Sequence, residues 1–505
     1  VQTQGFGGGV NMRDAPGELA PDEALAIDNM VLDEKGGVSK RLGVTAIGAN
    51  LSGNILSMYT FYRIGQPPLL IVHTDDGHIQ YSSDYDSGNA TWTHLMTGKS
   101  TSAPYSFETY LDKCFMSNGV DPYASFDGTT YTEYPALPRG KFLRLWKDAM
   151  WVSGVTGLPS RVYDSDVGDP LTFGAASWVD VYKGDGDEIT ALYQDGQSLI
   201  TFKRRRTFFI YDPVTTANRM VDEEKGCESH FSVMAWEGLI YFFSSVGICS
   251  YSGDNPSIVV SGRLDPMFSP NFLNFSALNL VWAYQTGTRI GWCVPEAGNN
   301  IPNLQVEFYP RLDQMSSYLM PRKQPFTFHR RPIRNAVTIR KGSQVHLYCG
   351  ASGVPKVYEA GVGGTDDGAT IVGMVEIGWF DFGMPVNSKY VRSVRIAGRG
   401  KFELQWRKDF LSSIAHSTSI NLTGSSQVWG VGNWGVGTWG PDSMIKSDQW
   451  SPDVYGHWFA LRFVDAEVVA GSRSVDFAGV PYSVVAGQWA VYEVVMQGFL
   501  LGDNR

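Results

Sequence analysis

The chain has 505 residues, a formal net charge of −10, 18% charged residues, 13% aromatic residues and 56 glycines. That mix excludes a helical enzyme and a disordered tail, and it fits a β-rich protein with many tight turns. The acidic balance argues against a simple nucleic-acid-binding domain, which would be basic, although local basic patches remain compatible with contact. Five cysteines (Cys114, Cys227, Cys249, Cys293 and Cys349) form no CxxC or Cys/His ligand spacing. They read as reduced core thiols, and neither a cofactor nor a metal site is expected.

No apolar stretch has the length needed to cross a bilayer, so no membrane-spanning segment is expected. The opening VQTQGFGGGVNMRDAP lacks a basic stretch followed by an apolar one. Synthesis and assembly in a cytoplasm are therefore expected.

Residues 1–52 form a turn-rich, charged arm. Pro21-Asp22-Glu23-Ala24 reads as the opening of a short helix, with Ala24, Ile27 and Val31 on one apolar face. The arm turns extended around Gly36–Arg41 and is expected to pack on something other than the body that follows.

Residues 53–361 carry a repeated beat of apolar run, tight turn and apolar run, roughly every 40–55 residues. It reads LLIVHTDDGHIQYSS from Leu69, KCFMSNGVDPYASFDG from Lys113 and AMWVSGVTGLPSRVYDSD from Ala149. It continues as SLITFKRRRTFFIYD from Ser198, LIYFFSSVGICSYSG from Leu239 and QVHLYCGASGVPKVYEAG from Gln344. Each is a candidate β-hairpin, and the period matches one four-stranded propeller blade. A further strand pair is expected at 289–295 and 304–309, so the count is about six or seven blades. From Gly361 the texture changes through the linker GVGGTDDGAT. Residues 362–505 are expected to form a second, sandwich-like β platform domain, with strands at 375–382, 390–397, 401–407, 457–464 and 488–497. Trp429, Trp434 and Trp439 recur at five-residue spacing there, as core or interface tryptophans. The fold class is thus all-β, a propeller plus a β platform.

Four stretches carry a resemblance: the arm GGGVNMRDAPGELAPDEALAIDNMVLDEKGGVSKRLGV; RVYDSDVGDPLTF from Arg161; ITALYQDGQSLITFKRRRTFFIYD with GCESHFSVMAWEGLIYFFSSVGICSYSG; and GWFDFGMPVNSKYVRSVRIAG from Gly378. Together they resemble the tail nozzle, or packaged-DNA stabilisation, proteins of short-tailed bacteriophages. None is a catalytic signature. The resemblance implies a structural virion protein of the phage tail, assembled in the host cytoplasm as a homo-oligomeric ring, usually of six subunits. It implies contacts with the tail adaptor and with tail fibres or spikes, and a channel that retains double-stranded DNA and later conducts it. It also implies that arm and platform combine, with the propeller inserted between them.

Lys203, Arg204, Arg205 and Arg206 sit between two strand-like runs. One reading is a ring of loops touching DNA phosphates or an acidic neighbour; the other is an exposed turn that discourages edge pairing. A second basic segment, PRKQPFTFHRRPIRNAVTIRKG, holds Arg322, Lys323, Arg330, Arg331 and Arg334, broken by Pro325 and Pro332. It reads as a subunit contact, with Phe326 and Phe328 interleaved, or as ordinary surface and core. The acidic turn 183–188 lacks a calcium-loop spacing. SSDYDSGNATWTHL from Ser82 loosely resembles the Asp-box turn of sialidase-like propellers, so a carbohydrate-active or glycan-binding propeller is the alternative. No GxSxG, HExxH or P-loop appears, and no catalytic residue is expected.

Overall fold

The structure is a computed structural model that describes residues 2–3, 5–86, 88–212, 217–251, 257–313, 323–341, 344–422, 426–427, 438–439, 446–450, 454–465, 475–477, 480–482 and 490–500. Its regular elements are strands, apart from short 3-10 turns at His230–Ser232, Gly262–Met267 and Phe275–Leu280 among the described residues. No described helix is long and apolar enough to cross a membrane. The chain forms two compact units, one of residues 45–305 with 331–360 and one of residues 1–44, 306–330 and 361–505.

The first unit is a β-propeller of six four-stranded antiparallel blades. Blade 1 runs Ile55–Arg63, Gln66–Thr74, Ile79–Ser82 and Thr93–Met96. Blade 2 is Ser106–Tyr110, Lys113–Ser117, Tyr123–Phe126 and Tyr131–Tyr134, and blade 3 is Phe142–Trp146, Ala149–Ser153, Arg161–Asp164 and Trp178–Asp180. Blade 4 is Ile189–Gln194, Leu199–Lys203, Thr207–Ile210 and Asn218–Asp222, and blade 5 is Met234–Trp236, Leu239–Ser244, Gly247–Tyr251 and Ile258–Val259. Blade 6 joins Ile333–Lys341, Gln344–Ala351 and Val357–Ala360 to residues 45–46 of the strand Val44–Ala46. The hairpin of Trp282–Thr286 and Arg289–Val294 packs on Ile333–Lys341 of blade 6 and on the 3-10 turn His230–Ser232.

All six beats read from the sequence are the second and third strands of these six blades. Their apolar runs are continuous because each strand is covered on both faces by neighbouring blades. Ala149–Ser153, Leu199–Lys203 and Gly247–Tyr251 are buried at every residue, whereas the outermost Thr93–Met96 is half open. One shared cluster shows the principle: Phe61, Leu69 and Ile71 of blade 1 pack with Phe107, Cys114 and Met116 of blade 2. All five cysteines are free and buried.

The ring closes where the chain enters. Residues 45–46 lie beside Val357–Ala360, the Ile47 amide donates to the Val357 carbonyl at 3.0 Å, and Ile333–Lys341 packs against Ile55–Arg63. The unit therefore begins at 45 rather than 53, because the closing strand belongs to it.

The other unit weaves three chain segments. Glu23–Asp28 pairs in parallel with Gly9–Val10 and with Phe326–His329, and antiparallel with Met374–Ile377. The helix expected from Pro21 is thus two strands, Glu23–Asp28 and Met30–Leu32, parted by Asn29 at φ 55°. Three apolar positions, Ala24, Ile27 and Val31, are too few to define a period, and strand partners on both sides override helix propensity. Residues 306–330 also leave the expected propeller range, because Phe326 stacks on Phe308 at 4.8 Å and its strand joins Glu23–Asp28.

In the C-terminal part, the expected strands 390–397 and 401–407 are one strand, Lys389–Lys408. Its first half pairs with Ala490–Leu500 and its second with Phe459–Asp465 and His416–Leu422. Gly400, at φ +86°, sits where the partners change. Buried ion pairs tie the segments: Arg41 holds Asp366 through two bonds at 2.8 and 2.6 Å and Asn29 Oδ1 at 2.9 Å. Lys40 meets Asp465 at 2.7 Å, both almost fully buried.

Two stability predictions follow from the propeller. Gly48 has φ +67°, and a Cβ there would lie 2.1 Å from the Ala90 carbonyl oxygen, whereas Gly65 has φ +68° and open space around it. Gly65→Ala is expected to cost about 1–2 kcal/mol from backbone strain alone. Gly48→Ala is expected to cost at least about 2 kcal/mol more, since backbone must shift, and urea unfolding compares the two. The second concerns His73, fully buried in blade 1, whose Nε2 bonds the Ser100 carbonyl at 2.9 Å. Burial lowers its pKa from 6.5 to about 4. Between those values the unfolded chain binds a proton that the native state does not. The stability it contributes is complete above pH 6.5 and is lost as pH falls toward 4, by about 1.4 kcal/mol per pH unit. His73→Gln is expected to flatten the urea-stability profile over that window by that slope.

Candidate functional site

The basic tetrad joins the second and third strands of blade 4, and the structure corrects its reading as four exposed charges. Lys203 ends a fully buried strand, and its side chain has no exposed surface. Its ammonium donates to Ser160 Oγ at 3.0 Å, the Tyr182 carbonyl at 3.1 Å and Asp185 Oδ1 at 2.7 Å. The other three form the turn. Arg206 donates to Asp185 Oδ2 at 3.1 Å, the Arg205 amide donates to Asp187 Oδ2 at 3.1 Å, and Arg204 donates to Glu188 Oε1 at 3.0 Å. Glu228 stands 3.7 Å from Arg204. The acidic turn 183–188 is thus the counter-charge of the tetrad. Burial alone would raise the Asp185 carboxyl, but Lys203, the Asp187 amide and Arg206 together outweigh it and hold it below its ordinary value. Among the described residues no three His, Cys, Asp or Glu side chains gather to hold a metal ion.

The second basic segment, read as a subunit contact or as ordinary surface and core, is divided between the two units. Arg322 lies outside the described residues. Lys323 pairs with Asp22 at 2.9 Å, and the Arg330 amide donates to Asn29 Oδ1 at 3.0 Å. Both belong to the platform unit. Arg331 and Arg334 belong to the propeller and are buried at 6% and 7% exposure. Arg331 reaches the Tyr284 hydroxyl at 3.2 Å, and burial lowers the Arg334 pKa, with Asp75 opposing. Phe326 and Phe328 are buried, so neither is offered for stacking on bases.

The Asp84 corner behaves as a structural turn. Asp84 accepts from Ser82 Oγ at 2.8 Å, the Thr91 amide at 2.9 Å and Thr91 Oγ1 at 3.0 Å, fixing the link between the last two strands of blade 1. Those bonds, the Thr91 amide first, hold its carboxyl below the ordinary range. Trp92 packs on the neighbouring core. Trp429 and Trp434 lie outside the described residues, and Trp439 falls in the short strand Thr438–Trp439.

First strands of blades 2, 3 and 4 place a polar group within the ring. Arg144 lies 3.5 Å from Glu108 and 4.3 Å over the Tyr193 ring. Burial raises the Glu108 carboxyl, with Arg144 pulling it back. His230 bonds Ser106 Oγ at 3.1 Å, packs on Phe142 and receives the Leu192 amide at 3.4 Å. Beside it opens a cavity of about 560 Å³, bordered by Lys141, Glu188, Arg204, Glu228, Phe231 and Phe275. Sequence reading missed this cavity. Its lining comes from four blades and the 3-10 turn Phe275–Leu280, so no local spacing announces it.

The charge geometry gives a mutational contrast. Lys203→Met leaves Asp185 buried with a lost partner and is expected to destabilise by about 3–5 kcal/mol. Arg205→Ala, at a side chain 65% exposed with its guanidinium 3.8 Å from Asp187, is expected to change stability by at most about 0.5 kcal/mol. Urea melts of both variants check this.

No family model and no curated protein matches this chain. Among solved structures it is similar to the computationally designed Ika8 protein, at 7% identity and TM-score 0.36, covering 64% of this chain and all of that one. It is similar to BBS1N, solved in complex with ARL6DN, at 9% identity and TM-score 0.39, covering 64% and 97%. It is also similar to the extracellular domain of a one-component system from B. thetaiotaomicron, at 13% identity and TM-score 0.35, covering 65% of this chain and 50% of that one.

Proposed function

We propose that this chain is a structural subunit of a short-tailed bacteriophage tail ring. In that role it would retain packaged double-stranded DNA and conduct it during ejection, as the resemblance of its four stretches implies. The observation that supports this best is the neutralised tetrad. Lys203, Arg204, Arg205 and Arg206 face Asp185, Asp187, Glu188 and Glu228, so the most basic turn of the propeller is matched charge for charge. A conduit for a polyanion works best with walls that do not hold it, because each phosphate contact adds affinity and slows passage. The partners on this reading are further copies of the chain, six by resemblance, the tail adaptor, and fibres or spikes. The place of action is the virion tail, and the role is not enzymatic.

Negative-stain imaging of the purified protein, alone and with the adjoining tail proteins, tests the proposal. A closed ring with an axial hole is expected. A chain that stays monomeric with those partners and hydrolyses a glycan would overturn it. Duplex DNA added at about 150 mM salt is expected to show no saturable binding to the isolated subunit. Fluorescence anisotropy with a labelled duplex measures it.

A further inference from the structure

We infer that the propeller carries a binding site for a neutral saccharide in the cavity bordered by Phe275 and the Arg204–Glu188 pair. The cavity lies within the propeller unit and measures about 560 Å³, within the range of pockets that enclose small ligands. Three features select the ligand class. The first is charge. Lys141 and Arg204 are balanced by Glu188 and Glu228, and Arg204 already bonds Glu188 at 3.0 Å with Glu228 at 3.7 Å. An anion at Arg204 would have to displace Glu188, and a cation at Glu188 or Glu228 would have to displace Arg204. A hydroxyl needs neither, since it can accept from the guanidinium and donate to the carboxylate at once.

The second feature is apolar surface. Phe275 is 36% exposed and Val120 57% exposed, and both border the cavity. An aromatic face held open in a concavity can cover the C–H face of a pyranose ring. The third is support. Phe275 opens a 3-10 turn capped by Asn274, whose Oδ1 accepts from the Ser276 amide at 3.1 Å and Ser276 Oγ at 2.6 Å. The Lys141 stem packs along Gly119 and Gly154, where a Cβ would meet it at 2.8 and 2.9 Å. The turn that carries Phe275 and the Lys141 stem are therefore both held before any ligand arrives, which limits the ordering cost of binding.

This site stands apart from the ring proposal, because a subunit can bind a sugar whether or not it assembles. The test is saturation-transfer NMR and calorimetry on the full chain, with maltose, lactose and diacetylchitobiose as neutral probes, and glucuronate and N-acetylneuraminate as acidic ones. Saturable binding of at least one neutral probe is expected. Phe275→Ala is expected to weaken it about tenfold, and Glu188→Gln similarly, with thermal unfolding unchanged because both side chains are partly exposed. Binding confined to the acidic probes would overturn the inference. So would no binding of any neutral probe at about 10 mM, or neutral binding unaffected by both substitutions.

Discussion

The propeller depends on one pairing, that of residues 45–46 with the strand Val357–Ala360. A toroid of blades has two free sides until its first and last sheets are joined. Here the chain's entry strand completes the blade that its exit strands began, some 300 residues later in order of magnitude, so closure links the most distant parts of the unit. Once closed, every second and third strand is covered on both faces, and the continuous apolar runs become stable rather than sticky. Gly48, pressed against Ala90 just beyond that pairing, shows how tightly the closing segment is laid down.

Charge is handled by local compensation throughout. The blade 4 turn meets four carboxylates, Arg41 meets Asp366 and Asn29, and Lys40 meets Asp465. Such pairs add modest stability as a whole but are costly to break singly, because the partner left behind is a buried charge. They therefore act mainly to fix geometry. In blade 4 this geometry sets the orientation of Arg204, and with it one wall of the cavity beside Phe275.

How legible the fold was in the sequence varies by element. The central hairpins were plain, because a strand buried on both faces is apolar at every position and its turn carries Gly, Asp or Ser. The outer strands, such as Thr93–Met96, carry a weaker pattern because one side meets solvent. Two hairpin tips, Leu111-Asp112 and Lys147-Asp148, take positive φ without glycine, so turn chemistry did not mark them. Lys203 misled for a related reason: adjacent basic residues look alike in sequence, yet Lys203 ends a strand buried at every residue while the other three form the turn.

By itself the sequence determined an all-β chain, six apolar hairpins at blade spacing, reduced cysteines and a distinct texture before and after the repeats, because these follow from local composition and period. Only the tertiary structure decided that the arm is strand rather than helix, that residues 306–330 leave the propeller, and which charges are neutralised. It also brought Phe275, Arg204 and Glu228 to one cavity. Each of those outcomes rests on partners far away in the chain, and pairing at a distance leaves no periodic trace in the residues it joins.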